Sequence, residues 1–346
     1  MLAEGALARL LRSDAKVRLF GRILLIAGVG YLAYTVVAGA GQLAALDWRR
    51  YAQASLVGLA LYPVSLFAQA IAWALAFGLL GRSEPGIDWR DVEIFASSHL
   101  MRRLPGGVWY LVSRVGAYRD QGVDARAPLL ASLGELLLLT GVAMLAYLTL
   151  SFVPTAEAPK VIAALAAAGL VSWLAGEALT RAPWSAPPSQ AMRRRAGPTY
   201  LLVGGLHAVA LATGGAILWA FLQAAGATEV GLVQATATWA LVAGASTLLG
   251  LIPGGVGLRD VTLAVVLVGY VGPAAAIIAL LFRLLFVVGD LLWGTALLLL
   301  TGWARRRYRA DRADAVGAAA PDGDAASETA ARRGDDDHRP SAEPVR

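Results

Sequence analysis

The sequence predicts an all-α polytopic integral membrane protein with about seven or eight transmembrane helices, including one or two broken or re-entrant segments. Hydrophobic residues make up 58% of the chain and charged residues only 16%, whereas soluble chains are about 45–50% apolar and about 25% charged. Several uncharged apolar runs approach the length of about 20 residues that crosses a bilayer. These runs are continuous, whereas strands of an outer-membrane barrel alternate apolar and polar residues, so a barrel is excluded.

The apolar runs divide the chain into predicted spans. The first run, Leu19–Ala40, follows four basic residues. Its length favours an uncleaved helix over a signal peptide, for which residues 38–40 offer a small-residue cleavage site. The later predicted spans are Ser55–Leu80, Leu129–Val153, Val161–Thr180, Tyr200–Gln223, Gly231–Ile252 and Ala274–Gly302, with a shorter apolar stretch, Val261–Val271, before the last.

The basic residues predict the orientation. With a cytoplasmic N-terminus, the predicted cytoplasmic segments hold 19 Lys and Arg residues and the outer segments hold 3. Basic residues concentrate in cytoplasmic loops, so both termini are expected in the cytoplasm and the protein in the inner (plasma) membrane. Region 231–302 then crosses an odd number of times, either as a broken hairpin plus one full crossing or as three crossings.

Composition also limits the chemistry. Cysteine is absent, and the three histidines, His99, His207 and His338, are far apart in the chain. We therefore expect no disulfide, thiolate nucleophile, metal centre or cofactor. The net charge is +6, but the basic residues flank apolar spans, which indicates membrane topology rather than a nucleic-acid partner.

Two matching segments interrupt the apolar pattern. Residues 104–108 (Leu-Pro-Gly-Gly-Val) and 252–256 (Ile-Pro-Gly-Gly-Val) are each followed by an arginine, Arg114 and Arg259. Proline and glycine disfavour a continuous helix, and broken backbone at membrane depth is tolerated only inside protein or beside a wet cavity. Paired breaks of this kind are typical of a transporter's midplane site and compatible with an inverted repeat. The alternative is that each tripeptide simply turns the chain.

The breaks also suggest a ligand. A helix that begins after such a break points free N–H groups and its positive dipole end towards the break, which favours an anion. A nearby arginine adds bidentate donors, and a lipid phosphate is the obvious anion in a membrane. The candidate substrate-binding residues are Pro105, Gly106, Gly107, Arg114, Pro253, Gly254, Gly255, Gly257, Arg259, Asp260 and Arg283.

Ionisable residues within the spans are costly and therefore informative. Arg283 and Asp290 are seven residues apart on one face of the final span. Arg283 is expected either to pair with Asp260, Glu135 or Asp290, or to bind a headgroup. His207 is expected to be a structural histidine with its hydrogen bonds satisfied.

Residues 252–260 resemble the Pro-Gly-Gly-(Ile/Leu/Val)-Gly-x-Arg-Glu signature of the lysylphosphatidylglycerol synthase transmembrane region, also called the flippase-like domain family. Residues 278–284, with Arg283, resemble its next motif, and residues 103–108 with Arg114 resemble its first. The resemblance covers roughly residues 20–302 and implies a multispan domain that moves or binds amphiphilic lipids. Two departures are Asp260 in place of Glu, and Trp109 and Tyr110 where many members have a Gly-Glu-x-x-Arg run.

The leading hypothesis is therefore a lipid flippase or transporter whose partner is a membrane phospholipid or lipid-linked substrate, with a homo-oligomer or a partner enzyme as further options. The predicted regions are an N-terminal cytoplasmic segment (1–18), a transmembrane domain (19–302) and a basic, then disordered tail (303–346). No ATP-binding loop is recognised, so transport would be downhill or ion-coupled, and lysyl transfer is not expected without a soluble transferase domain. The alternatives are a membrane enzyme using Glu135, His207 and Asp290 for acid–base chemistry, and a non-transporting scaffold.

Overall fold

A computed structural model describes residues 46–81, 86–101, 109–153, 156–181, 190–250 and 258–304, together with residues 30, 37, 41, 306 and 307. Most of the first predicted span and of both terminal regions lies outside the described residues. So do both breaks, with the predicted site residues Pro105, Gly106, Gly107, Pro253, Gly254, Gly255 and Gly257.

The described residues form helices and connecting turns, with no strand among them. The helices are α1 (Trp48–Gly81), α2 (Trp89–Met101), α3 (Trp109–Arg119), α4 (Arg126–Phe152), α5 (Glu157–Arg181), α6 (Gln190–Ala224), α7 (Leu232–Gly250), α8 (Leu258–Val271) and α9 (Ala275–Gly289). A short 3-10 turn, Gly272–Ala274, joins α8 to α9, and Gly272 adopts a φ of +56° that favours glycine. After α9 the chain makes a π-helical turn, Asp290–Gly294, and continues as helix through residues 295–304.

Five helices in the described part of the chain are long and apolar enough to cross a membrane. They are Trp48–Leu79, Arg126–Phe152, Glu157–Ala178, Arg194–Ala224 and Ala275–Ala304. At about 1.5 Å per residue they measure about 33 to 48 Å, longer than the hydrocarbon core of about 30 Å. Large apolar side chains, among them Leu137 and Ile162, are exposed on their outer faces, as expected where lipid covers the surface. For the described residues, the prediction of an all-helical protein with several helices able to cross a membrane is confirmed.

Small residues bring the spans close together, as is common between membrane helices. A Cβ on Gly215 of α6 would lie 2.6 Å from the Cα of Thr236 in α7, and a Cβ on Gly244 of α7 would lie 2.8 Å from the sulfur of Met144 in α4. Neither glycine can gain a side chain unless its neighbour moves. The tight packing of α4, α6 and α7 therefore depends on these positions.

Two apolar clusters form the interior. The larger includes Phe221, Trp239 and Phe282. The smaller joins α1, α2 and α3 through residues such as Trp73 and Phe95. Phe286 of α9 packs against both clusters, so α9 contacts both parts of the interior. Contacts divide the chain into residues 1–299 and residues 300–346, and every residue of the candidate site belongs to the first unit.

Candidate functional site

The α2–α3 pair is held by polar contacts along its length. The hydroxyl of Tyr118 in α3 donates to Asp91 near the start of α2 at 2.9 Å, and Nε of Arg114 in α3 donates to the Ser98 hydroxyl near the end of α2 at 2.9 Å. Asp91, early in α2, thus pairs with Tyr118, late in α3, whereas Ser98, late in α2, pairs with Arg114 in the middle of α3. The two helices are antiparallel, and the ends that flank residues 102–108 lie at the same end of the pair.

Arg114 lies at the centre of this group and only 3% of it is exposed. Its Nη1 donates to Glu135 of α4. Its guanidinium carbon lies 3.9 Å from the ring centroid of Trp73 and 5.1 Å from that of Phe95, which is cation–π geometry. Arg114 therefore ties α1, α2 and α4 to α3, and a headgroup that used its Nη1 would have to compete with Glu135. Its role in substrate binding stays a prediction.

Tyr118 extends the same polar group towards α1. Its oxygen accepts a hydrogen bond from Nε1 of Trp73 at 3.2 Å while its hydroxyl donates to Asp91. Burial, and then the neighbouring Asp91 carboxylate, raise the pKa of the Tyr118 phenol above its ordinary value. The phenol therefore keeps its proton at neutral pH and remains a donor to Asp91.

A second polar group joins α2 to the last helix, defined as residues 275–304. Nε2 of His99 lies 3.0 Å from Oδ1 of Asp290, and the Tyr62 hydroxyl donates to the same carboxylate oxygen. Asp290 is 1% exposed and His99 is 6% exposed. Asp290 opens the π-helical turn, a distortion that is frequent at functional sites. Because Asp290 is about 21 to 23 Å from either end of the last helix, this group lies near mid-span.

A third polar group joins α8 to α9. Nη1 of Arg283 donates to Asp260, and the guanidinium carbon of Arg259 lies 4.3 Å from the ring centroid of Trp239 in α7. Of the three carboxylates predicted as partners of Arg283, Asp260 is the one that it contacts. Glu135 pairs with Arg114 and Asp290 with His99. The Arg283 side chain is 31% exposed and Arg259 is half-buried. Arg259 and Arg283 are thus more exposed than Arg114.

The second and third groups occupy neighbouring turns of the last helix. Arg283, Phe286 and Asp290 are spaced i, i+3, i+7 and therefore share one face. Phe286 packs edge-on against Tyr62 with ring centroids 5.2 Å apart, and its centroid lies 5.4 Å from the guanidinium carbon of Arg259. One helix next to each Pro-Gly-Gly segment in the chain, α2 and α8, thus supplies polar side chains to one stretch of about 10 Å of the last helix.

The described residues contain no group of three or more His, Cys, Asp or Glu side chains that could hold a metal ion. His207 of α6 is fully buried, and neither ring nitrogen has a hydrogen-bond partner in the described part of the chain. The expectation that its hydrogen bonds are satisfied is therefore wrong within those residues. Of the three residues proposed for acid–base chemistry, Glu135 and Asp290 lie in different polar groups.

Sequence reasoning missed His99 and Tyr62 as members of the site. It assigned residues 81–128, which include His99, to a cytoplasmic segment, and it placed Tyr62 within the span Ser55–Leu80 without a role. A signal was nevertheless present: Val92, Phe95 and His99 follow the i, i+3, i+7 spacing of one helix face, and all three are buried. That face was the available clue that this segment packs into the protein.

Comparison of the chain with protein-family models, with curated proteins and with solved structures finds no match. The resemblance to the flippase-like domain family therefore stays a prediction, and the function has to be inferred from the geometry of the site.

Proposed function

We propose that the protein is a lipid flippase or transporter that binds an anionic phospholipid or lipid-linked headgroup beside the middle of the last helix. The observation that supports this most directly is the pair Arg259 and Arg283, two partly accessible guanidinium groups next to an apolar membrane-spanning helix. A charged side chain at membrane depth is costly, and it is retained mainly where it serves a substrate or ion pathway.

The charges near this position favour an anion. Asp260 pairs with Arg283, and Arg259 brings a second guanidinium group to the same position beside Phe286. The ion pair with Asp260 uses Nη1 of Arg283, one of the nitrogens that together carry five N–H donors in a guanidinium group. The stacking of Arg259 on Trp239 uses a guanidinium face, whereas the donors lie in the guanidinium plane. A guanidinium group presents its donors in a planar fork that matches the oxygens of a phosphate.

A re-entrant architecture completes the proposal. Trp89 at the start of α2 is exposed, and His99, ten residues later, contacts Asp290 near mid-span. Ten helical residues advance about 15 Å, half of the hydrocarbon core. We propose that α2 and α3 enter the membrane and return on the same side, and that α7 and α8 form the matching broken element of an inverted repeat. In this arrangement seven or eight segments enter or cross the inner membrane, and both termini are cytoplasmic. The distribution of Lys and Arg supports this orientation.

The resemblance to the flippase-like domain family supports a lipid as the cargo. The sequence motif around residues 252–260 supplies Arg259 and Asp260, and the contacts of both residues bring α8 against α7 and α9. A phosphatidylglycerol-like anionic lipid is the substrate class that we propose. Its movement would be downhill or coupled to an ion.

The proposal is tested by lipid translocation in vesicles. The full-length protein is reconstituted into phosphatidylcholine vesicles that contain a fluorescent phosphatidylglycerol, and dithionite reports how much of the probe reaches the outer leaflet. We expect Arg283→Gln and Arg259→Gln each to slow translocation at least about tenfold, because each removes a contact with the phosphate worth about 1.4 kcal/mol or more.

The matched control is Arg194→Gln, which removes an exposed arginine of α6 and is expected to translocate like the wild type. Equal rates for the wild type, Arg259→Gln and Arg283→Gln would contradict the proposed site. No translocation by the correctly folded wild type would contradict the proposed function for this lipid class and favour the enzyme or scaffold hypotheses.

A further inference from the structure

We propose that His99, Asp290 and Tyr62 form a proton-binding site, and that protonation of His99 strengthens binding of the anionic headgroup beside Arg283. Lipid transport would then be coupled to protons. This inference rests on the proposed function, since it concerns what drives the same site.

The three side chains form a compact acid–base group in the interior. Asp290 and His99 are almost fully buried and their Oδ1 and Nε2 atoms lie 3.0 Å apart. Tyr62 donates to the same oxygen from α1, so the carboxylate is held by two elements besides its own. Intramembrane acid–base pairs are expensive to bury and mark proton relays and substrate pathways in transporters. The π-helical turn that begins at Asp290 is a second feature frequent at functional positions.

The charge of this group depends on one proton. Histidine is the side chain whose charge changes between about pH 5 and pH 8. With His99 protonated, the His99–Asp290 pair has no net charge. With His99 neutral, the pair carries one negative charge. Tyr62 donates to the carboxylate in both states, so it holds Asp290 in place while the proton binds and leaves.

The charged groups around the pair are themselves paired or stacked. From α3 and α4, Arg114 and Glu135 form an ion pair. Phe95 contacts both Arg114 and His99: its ring centroid is 5.1 Å from the guanidinium carbon and 5.3 Å from the centroid of the imidazole ring. From α8, the guanidinium group of Arg259 lies over the ring of Phe286. On α9, Arg283 pairs with Asp260. His99 is the histidine among these groups.

The spacing along the last helix gives the size of the coupling. Asp290 and Arg283 are seven residues apart, which is about 10 Å along the axis. A unit negative charge at that distance from a bound monoanion, with an effective dielectric constant of about 20, weakens its binding about fifteenfold. Protonation of His99 removes this repulsion. The headgroup should therefore bind about fifteenfold more tightly once His99 is protonated.

Binding measurements on the detergent-purified, full-length protein test the inference. Fluorescent phosphatidylglycerol is titrated at about pH 5.5 and at about pH 7.5, on either side of the ordinary histidine range. We expect the wild type to bind about tenfold to fifteenfold more tightly at the lower pH. His99→Gln should still bind the probe but lose most of this pH dependence, and His207→Gln, which alters the other buried histidine, should keep it.

A second measurement examines coupling in vesicles that contain a pH-sensitive dye. An imposed pH gradient should drive the fluorescent lipid towards one leaflet, with proton movement, in the wild type. His99→Gln should equilibrate the lipid without responding to the gradient. Unchanged pH dependence in His99→Gln, or its loss in His207→Gln, would overturn the proton site while leaving the proposed function intact.

A third measurement does not depend on lipid. In protein labelled with nitrogen-15 at histidine, the resonances that disappear in His99→Gln identify His99, and they should shift between about pH 5.5 and about pH 7.5. If His99→Gln does not fold, Tyr62→Phe is used instead. This variant keeps the ring that packs on Phe286 but removes the hydroxyl that donates to Asp290, so it should change the titration of the His99 imidazole. A His99 resonance that is constant over this range would overturn the proton site even if the protein moves no lipid.

Discussion

The Arg114–Glu135 ion pair offers the sharpest test of how the helices are held together. The substitution Arg114→Met keeps an unbranched side chain in the space between Trp73 and Phe95 but removes the charge. Glu135, whose side chain is 11% exposed, is then left without its cationic partner. Breaking a buried pair from one side costs about 3–5 kcal/mol, and the lost stacking on Trp73 adds up to about 2 kcal/mol.

Partial access of water to Glu135 offsets some of this cost, so we expect Arg114→Met to lower the free energy of unfolding by about 4 kcal/mol. The assay is unfolding of the purified protein by sodium dodecyl sulfate in mixed micelles, followed by circular dichroism. The matched control is Arg194→Met, where the arginine is exposed, and a change within about 0.5 kcal/mol is expected.

The double variant Arg114→Met/Glu135→Gln separates pairing from packing. It leaves no buried charge, and replacing both partners is far less costly than removing one. We expect a total loss of about 1–2 kcal/mol, which is about 2–3 kcal/mol less than the loss for Arg114→Met alone and less than the sum of the two single changes. The reasoning is refuted if Arg114→Met costs no more than Arg194→Met, or if the double variant costs the sum of the two single changes.

Two further predictions use the same unfolding assay. Gly244→Val should destabilise the protein by about 1–3 kcal/mol, because its Cβ would lie 2.8 Å from the sulfur of Met144, whereas Gly116→Ala, with open space around the new methyl group, should stabilise it by about 0.5–1 kcal/mol. Tyr118→Phe should lower the free energy of unfolding by about 1–3 kcal/mol, because it removes the donor to Asp91. The pKa of Tyr118 is raised in the folded state, so the unfolded phenol ionises first and the stability of the wild type should fall as the pH rises above about 10. The variant lacks this phenol and should show a smaller fall. Equal stability of Gly244→Val and the wild type, or identical alkaline profiles for Tyr118→Phe and the wild type, would contradict these two predictions.

The enzyme hypothesis required a cooperating set of acid–base residues. Glu135 is engaged by Arg114, and Asp290 by His99 and Tyr62, so the two carboxylates serve different polar groups. The scaffold hypothesis gives no particular reason for arginines to remain partly accessible beside an apolar span. The translocation assay described above distinguishes the proposed transport function from the other two.

The spans were predictable because the bilayer imposes a local rule. A helix that crosses lipid needs about 20 consecutive apolar residues, and this requirement can be read without knowledge of any distant contact. The predicted span Leu129–Val153 corresponds to α4 at Arg126–Phe152, and the short stretch Val261–Val271 lies within α8 at Leu258–Val271. Both helices carry charged residues in their first turn, Arg126 in α4 and Arg259 and Asp260 in α8, which interrupt a hydropathy pattern, so the predicted spans begin later.

The site was only partly predictable because its contacts join residues far apart in the chain. The sequence alone placed Arg283 and Asp290 on one helix face, since that follows from 3.6 residues per turn. Only the tertiary structure decided that Arg283 takes Asp260 while Asp290 takes His99, 191 residues away. Charge signs allow several pairings at comparable energy, and the packing of α2 and α8 against the last helix selects one of them. The sequence therefore determined which segments can cross a lipid bilayer, and the packing of the helices determined which charged side chains form pairs.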